Sequence, residues 1–537
     1  MTSLFYTRPK QIIGRWQGSQ EEFSADPAEI LKNLRNLSAD LILLDHKDQL
    51  GITSGGSLTV SAGADQGIPA VASLRPISPT QLGDPGFISW HGIKSAYMAG
   101  SMANAISGVE LVVALGKAGY LASYGAGGVS PGKLLDAIKT IQNQLPSGPY
   151  AFNLIHSPQE VVLEQNAVNL FLEHEVRTIE ASAFLRLTPT VVQYRAAGLA
   201  VDSGGKVIIH NKVIAKLSRP EVAVQFLNPA PEKILNQLVM EGKITAQQAQ
   251  LAKRVPMADD ITVEADSGGH TDNRPLVGLL PSMIALRNET QAKNQFDIPV
   301  RIGAGGGIGT PASVVGAFAM GAAYVVTGSI NQACIEAGTS KAVKEALAQA
   351  AAPDMMMAPS ADMFEMGVKV QVLKRGTMFP MRSQKLYDVY LKYEGIDQIE
   401  ATERKDLENK IFQNDLDFIW EECMAFFSER DPSQLDKAQN NPKRKMALIF
   451  RWYLGLATHW GIQGIPERNL DYQIWCGPSM GAFNDWVRGT RLETAENRKV
   501  VTIADQLMMG AAYQIRLNQL MLQGISTPTS WKRYLET

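Results

Sequence analysis

Two glycine-rich strand ends and one histidine define the chemistry that this sequence of 537 residues can support. The run Pro299-Val-Arg-Ile-Gly-Ala-Gly-Gly-Gly-Ile308 reads as a strand passing into consecutive glycines. Thr310-Pro311 then supplies a favoured helix start, threonine as N-cap and proline at the first helical position. Glycines there let backbone N–H groups come close to an oxyanion, and a helix start favours negative charge. A second apolar run ends in Thr327-Gly328-Ser329. Two such strand ends in this order predict the phosphate site that (β/α)8 barrels build from their last strands, Ser329 donating its hydroxyl and Gly307 and Gly328 their amides. Tight turns also use glycine, so the ordered pair, not either cluster alone, carries the reading. G-x-G-x-x-G is not satisfied, so the dinucleotide fingerprint of open α/β sheets is absent.

The stretch Glu264-Ala-Asp-Ser-Gly-Gly-His270 sets a histidine directly after two glycines at another strand end. Such glycines would let a flat ligand approach the backbone and leave the imidazole beside it as acid, base or hydrogen-bond donor. His46, His91, His156, His174, His210 and His459 lack that setting and read as structural. Gly477-Pro-Ser-Met-Gly481 formally fits the G-x-S-x-G nucleophile elbow, which needs a preceding strand and, in its usual chain order, a later histidine. No histidine follows Ser479, so acyltransferase or hydrolase chemistry is not expected.

These residues need a scaffold of repeated strand–helix units, and residues 91–382 have that pattern. Short apolar runs (Ala151–Ile155, Val207–Leu217, Ile261–Ala265, Ile298–Ile302, Tyr324–Val326) alternate with helical stretches at 158–172, 311–320 and 340–351. Parallel strands with crossover helices close as a barrel or stay an open sheet, and periodicity does not choose between them. Residues 1–90 read as an N-terminal accessory domain, with a helix over Pro27–Leu37, a strand-like run Leu41–Leu44 and a Gly/Ser-rich passage Gly51–Gly63. From 383 to 537 helices take over, marked by Phe412, Leu416, Ile419, Cys423 and Phe426, and by Ile503, Leu507, Ala511 and Ile515, at spacings of three and four. The tryptophans between Trp420 and Trp531 read as the core of a helical domain or as the aromatic wall of an acyl-chain groove.

Composition excludes other classes. A net charge of −2 leaves no basic field for nucleic acid. The cluster Lys443-Arg444-Lys445 reads as a solvated helix face or a dock for an acidic carrier protein. Cys334, Cys423 and Cys476 are odd in number and far apart, against a disulfide framework or a CxxC metal site and in keeping with a reducing cytoplasm. Residues 1–8 lack an apolar signal core and the apolar run 316–326 is too short to span a bilayer, so no membrane association is expected.

The order of Ala99-Gly-Ser-Met-Ala103, Gly119–Gly128, Asn153, Ser267-Gly-Gly-His270, Ala304-Gly-Gly-Gly-Ile308 and Thr327-Gly-Ser329 resembles the FMN-dependent nitronate monooxygenase and enoyl reductase superfamily over residues 95–335. Glu180-Ala-Ser-Ala-Phe-Leu-Arg-Leu-Thr-Pro189 and the long helical tail resemble the PfaD family, the separate enoyl reductase subunit of polyunsaturated fatty acid synthases and related polyketide systems. The resemblance implies a TIM barrel, FMN with NADPH as electron donor, and reduction of trans-2-enoyl thioesters on acyl carrier protein domains of a multienzyme synthase. It implies flavin contacts from Ala99, Gly100, Met102, Asn153, Lys216, Ser267, Gly268, Gly305, Gly306, Gly307, Thr327, Gly328 and Ser329. Among these, Gly100 and Met102 would lay backbone against the isoalloxazine, Asn153 would bond its polar edge, and Lys216 would favour the anionic reduced flavin. His270 is the candidate acid for the α-carbon.

Asp266-Ser267 stand where the family often has glutamate and alanine, which argues against a direct role for that acid. A helical insert near 228–256 exceeds simpler members and is read as a lid, a carrier-protein platform or a packing appendage. An oxygen-using nitronate monooxygenase and a non-catalytic docking subunit are the rival readings, and a homodimer stays open.

Overall fold

The computed structural model describes residues 11–60, 66–156, 158 and 161–535. The N-terminal stretch read for a signal core lies outside them, as do part of the Gly/Ser-rich passage and residues 157, 159 and 160. The chain divides into two compact units: Met1–Tyr97 with Gly309–Val325 and Val501–Thr537, and Met98–Ile308 with Val326–Val500.

The first unit carries β1 (Gly14–Gln17), β2 (Leu41–His46), β3 (Gln49–Thr53), β4 (Ser57–Thr59) and β5 (Ile68–Leu74), an antiparallel sheet in the order β3-β2-β5-β1-β4. Trp16, Leu44 and Ala70 form a small core on it, and the Trp16 indole donates to the Gly55 carbonyl at 2.8 Å. The helix Pro27–Arg35 starts on Asp26, whose Oδ1 accepts the Ala28 and Glu29 amides at 3.0 Å. Thr310 likewise accepts the Ser313 amide at 3.2 Å, the expected start of Pro311–Ala319.

The C-terminal helix Val500–Leu522 departs from the reading of 383–537 as one helical segment, since residues 501–537 belong to this first unit. Arg516 explains the assignment. Its buried guanidinium donates to the carbonyls of Asn36 at 2.7 Å, Leu37 at 3.1 Å, Ala39 at 2.9 Å and Arg75 at 3.1 Å. Backbone oxygens left over where a helix and strands end thereby acquire donors, a need that local periodicity does not reveal.

In the second unit, apart from the first residues of β6 and β16, come β6 (Tyr97–Ala99), β7 (Leu121–Tyr124), β8 (Ala151–Ile155), β9 (Thr178–Ser182), a hairpin of β10 (Leu199–Val201) and β11 (Val207–Ile209), β12 (Lys212–Leu217), β13 (Asp260–Glu264), β14 (Gly269–His270), β15 (Arg301–Gly305), β16 (Val325–Thr327), β17 (Met355–Pro359) and β18 (Lys369–Leu373). Strands β6, β7, β8, β9, β12, β13, β15 and β16 close an eight-stranded parallel barrel, the expected (β/α)8 fold. Its strands β9 and β15 are buried along their whole length, and they enclose the charged Glu180 and Arg301 among small and apolar residues.

Two strand expectations change. Val207–Leu217 is a hairpin arm followed by a barrel strand, because Asn211 donates to the Tyr194 carbonyl at 2.8 Å and turns the chain. The strand placed at Ile298–Ile302 begins only at Arg301, since Pro299 has no N–H to give a ladder.

Outside the barrel, β14, β18 and β17 form an antiparallel sheet in that order. The helices Leu416–Arg430 and Pro442–Gln463 share one core with Phe364, Phe379 and Leu386. Phe412 is not on the same helix as Leu416, Ile419 and Cys423: it ends a π-helical turn, and Asp415 caps a new start by accepting the Phe418 amide at 2.8 Å. Lys443 and Arg444 are neither a solvated face nor a free dock. Lys443 donates to the Tyr390 and Tyr393 carbonyls at the end of helix Phe379–Lys392, and Arg444 pairs with Glu365. No helix among the described residues is long and apolar enough to cross a membrane.

Candidate active site

A cavity of about 830 Å³ opens where the barrel strands end, with helices Leu416–Arg430 and Pro442–Gln463 as its far wall. That volume suits a small-molecule or cofactor pocket. His270 and every residue implied as a flavin contact line it except Ala99 and Gly307. Ala99 is fully enclosed in β6, paired with Ala122, and Gly307 lies at φ +74 in the turn after β15. No residue of 231–255 lines the cavity, so the insert is no lid over it. Its helices Glu232–Met240 and Ala246–Ala252 bury Leu235 and Leu238, and Gln248 donates to the Ala197 carbonyl at 2.9 Å.

The glycine before Gly269-His270 has a different purpose from the one expected. A Cβ on Gly268 would stand 2.8 Å from the Cys476 nitrogen, and one on Gly477 would stand 2.9 Å from the Gly268 nitrogen. Two backbones therefore pack against each other here, rather than a ring against a backbone. Gly477 also donates its amide to Ser329 Oγ at 2.9 Å, so the Gly477–Gly481 motif buttresses the phosphate-type loop. At Gly328 the expected opening is present: a Cβ there would meet nothing within 4 Å.

His270 is held from a distant part of the chain. Register pairs it with Val370 across β14 and β18, and the turn joining β17 to β18 brings Ser360 and Asp362 to its ring. Nε2 lies 3.1 Å from Asp362 Oδ1 and 3.2 Å from Ser360 Oγ. Burial of the imidazole works against protonation, but the Asp362 charge and hydrogen bond outweigh it and Glu264 adds to them, so His270 titrates above the ordinary histidine value. Burial alone would raise Asp362; the cationic ring and the Ser360 hydroxyl instead hold it far below the carboxylate range. Neither partner was legible beforehand, because they lie 90 and 92 residues from His270.

A second ionic group lies on the same floor. Lys216 Nζ is 2.9 Å from Glu264 Oε1. Burial disfavours its charge, yet Glu264 and Glu180 more than compensate, raising its pKa above the ordinary lysine value. Glu180 accepts the Ser101 amide at 2.8 Å through Oε2, while its buried Oε1 has no hydrogen-bond partner. Asn153 Nδ2 is engaged by the Glu180 carbonyl at 2.9 Å and Ser182 Oγ at 2.8 Å, which leaves only Oδ1 for a ligand edge. The amides of Gly100 and Met102 are also taken, by the Thr327 carbonyl and Ser107 Oγ. Asp266 accepts from Gln371 at 2.7 Å, an anchoring task that agrees with its exclusion from direct chemistry.

These observations test whether FMN fits. The buried Ser267 Oγ has no partner, Gly328 faces open space and Lys216 supplies fixed positive charge. Orphaned donors and acceptors at strand ends with an open glycine suit a planar phosphorylated ligand. His459, read as structural, also lines the cavity; its burial, then the Lys133 and Arg430 charges, hold its pKa below the ordinary histidine value.

Comparisons with known proteins agree with this architecture. Residues 86–389 match the nitronate monooxygenase family, residues 16–76 the N-terminal domain of fatty acid synthase subunit PfaD, and residues 393–472 the inserted helical domain of [acyl-carrier-protein] S-malonyltransferase. A polyunsaturated fatty acid synthase subunit of Thraustochytrium sp. is 45% identical over 514 residues, 94% of this chain and 34% of its own. Polyketide biosynthesis protein PksE of Bacillus subtilis is 45% identical over 437 residues, 81% of this chain and 57% of its own. The chain thus spans well under two thirds of either relative. The crystal structure of the enoyl reductase domain of MlnA, from the macrolactin biosynthesis cluster of Bacillus amyloliquefaciens, is 40% identical with a TM-score of 0.79, covering 82% of this chain and 99% of that one. With the barrel, the strand-end site and these matches together, the chain belongs to the nitronate monooxygenase family and is PfaD-like.

Proposed function

We propose that the chain is an FMN-dependent, NADPH-using oxidoreductase that reduces trans-2-enoyl thioesters on acyl carrier protein domains of a polyunsaturated fatty acid or polyketide synthase. The observation that carries the reading is His270, 3.1 Å from Asp362, facing the same cavity as the orphaned Ser267 hydroxyl and the open Gly328 strand end. The synthase subunits and the MlnA enoyl reductase domain among its relatives support the substrate class. Gly328, Ser329, Ser267, Asn153 Oδ1 and Lys216 are the groups that would hold the flavin. Bound FMN, restored by NADPH, supplies hydride for the β-carbon.

The remaining work falls to the chain's own side chains. His270 holds a proton for the α-carbon, and as a cation it also stabilises negative charge growing on the thioester oxygen. Asp362 and Ser360 fix the ring and its charge. Lys216, paired with Glu264, brings its ammonium to the same cavity.

Purified protein reconstituted with FMN should be yellow, bleach with NADPH under anaerobic conditions and recover its colour on adding crotonyl thioester. A protein that stays colourless favours the docking-subunit rival. One that consumes a nitronate with oxygen while ignoring the thioester favours the monooxygenase.

A further inference from the structure

The far wall of the cavity carries nothing that reaction at His270 requires, yet beside the charged Glu422, Arg430 and Arg451 it presents a run of apolar side chains. Helices Leu416–Arg430 and Pro442–Gln463 turn Phe426, Phe427, Leu448, Trp452 and Leu456 toward it. The Trp452 indole donates to Glu422 Oε2 at 2.9 Å and ties the two helices together. Cys423 on the same wall is no acyl-carrying nucleophile, since burial pushes its thiol up to about 12.

Midway along Pro442–Gln463 stands Gly455, and glycine weakens a helix interior. At the other interior glycine of this helix the surroundings are filled: a Cβ on Gly461 would rest in ordinary contact with Tyr472 and Val343 at 3.5 Å. Packing does not account for Gly455, where a Cβ would meet no heavy atom within 4 Å. Gly455 itself lines the cavity, so that open space is continuous with the His270 site.

We propose that Gly455 opens an acyl-chain channel along helix Pro442–Gln463, in which the linear hydrocarbon tail of the thioester lies while its reactive end sits at His270. The proposal rests on the enoyl reductase reading for its ligand. Aliphatic and aromatic lining selects a hydrocarbon tail, and each methylene buried there favours binding about fourfold. The helix thus keeps a residue that weakens it because any larger one would narrow the channel.

The test measures binding of saturated thioesters, which are not reduced. Calorimetry with lauroyl- and butyryl-coenzyme A on the full chain should give at least about tenfold tighter binding of the longer chain to wild type. Gly455→Phe should erase that preference, and Gly455→Ala should keep part of it while melting no lower than wild type. Gly455→Leu replaces the phenylalanine variant if the latter melts at a lower temperature. Absence of chain-length preference in wild type, or its full retention in a bulky variant that melts normally, overturns the channel. The two readings fail separately. A chain that prefers lauroyl thioester through Gly455 but reduces no enoyl thioester refutes the reductase, whereas reduction without any effect of Gly455 on chain preference refutes the channel.

Discussion

The two ends of the barrel hold ion pairs that look alike and behave differently. Below the N-terminal ends of β12 and β13, Arg195 and Asp259 are 1% and 4% exposed. The guanidinium satisfies both Asp259 oxygens and the carbonyls of Pro256 and Asn211, while Asp259 Oδ2 also accepts the Val213 amide at 2.8 Å. At the C-terminal ends, His270 and Asp362 remain 31% and 35% exposed to the cavity. The buried Ser267 Oγ, without a hydrogen-bond partner, lines the same cavity. A saturated pair can only hold the chain in place, whereas an unsaturated one next to open space can still receive a ligand or a proton. This division matches the general polarity of such barrels, stability at one face and chemistry at the other.

Breaking the saturated pair should have the largest thermodynamic effect. Arg195→Ala leaves Asp259 charged and two carbonyls without donors, so denaturant unfolding should lose about 3–5 kcal/mol; a loss within experimental scatter would dissolve the contrast between the ends. At the other end, His270→Ala should leave the unfolding midpoint close to wild type and lower enoyl thioester reduction at least ~100-fold. Full turnover by that variant removes the histidine from the chemistry.

The smallest and most diagnostic change is Asp362→Asn. His270 acts in its protonated form, so the rate falls as pH rises through its pKa. The Asp362 charge holds that pKa up. Its removal should therefore move the alkaline limb of the rate profile to lower pH, with Asp362→Glu restoring much of the shift. An unmoved limb would mean that the carboxylate only packs.

What was legible in advance followed from local backbone demands. Thr310-Pro311 announces a helix start because capping is satisfied within a few residues, and the glycines after β15 announce a turn because Gly306 and Gly307 take positive φ. The same logic misread Gly268, whose demanding neighbour is the backbone of Cys476, far along the chain. It also missed Ser360 and Asp362, which β-sheet register alone carries to His270.

The sequence by itself thus determined the repeated strand–helix pattern, the phosphate-type strand ends and His270 as the residue to examine, since each is written within a few neighbouring positions. Only the tertiary structure decided that the tail helix answers the N-terminal carbonyls through Arg516, that Lys443 and Arg444 are already occupied, and that Gly455 faces open space. Those outcomes depend on which groups meet across long chain separations. A buried polar group or an empty volume exists only once every wall around it has been assembled.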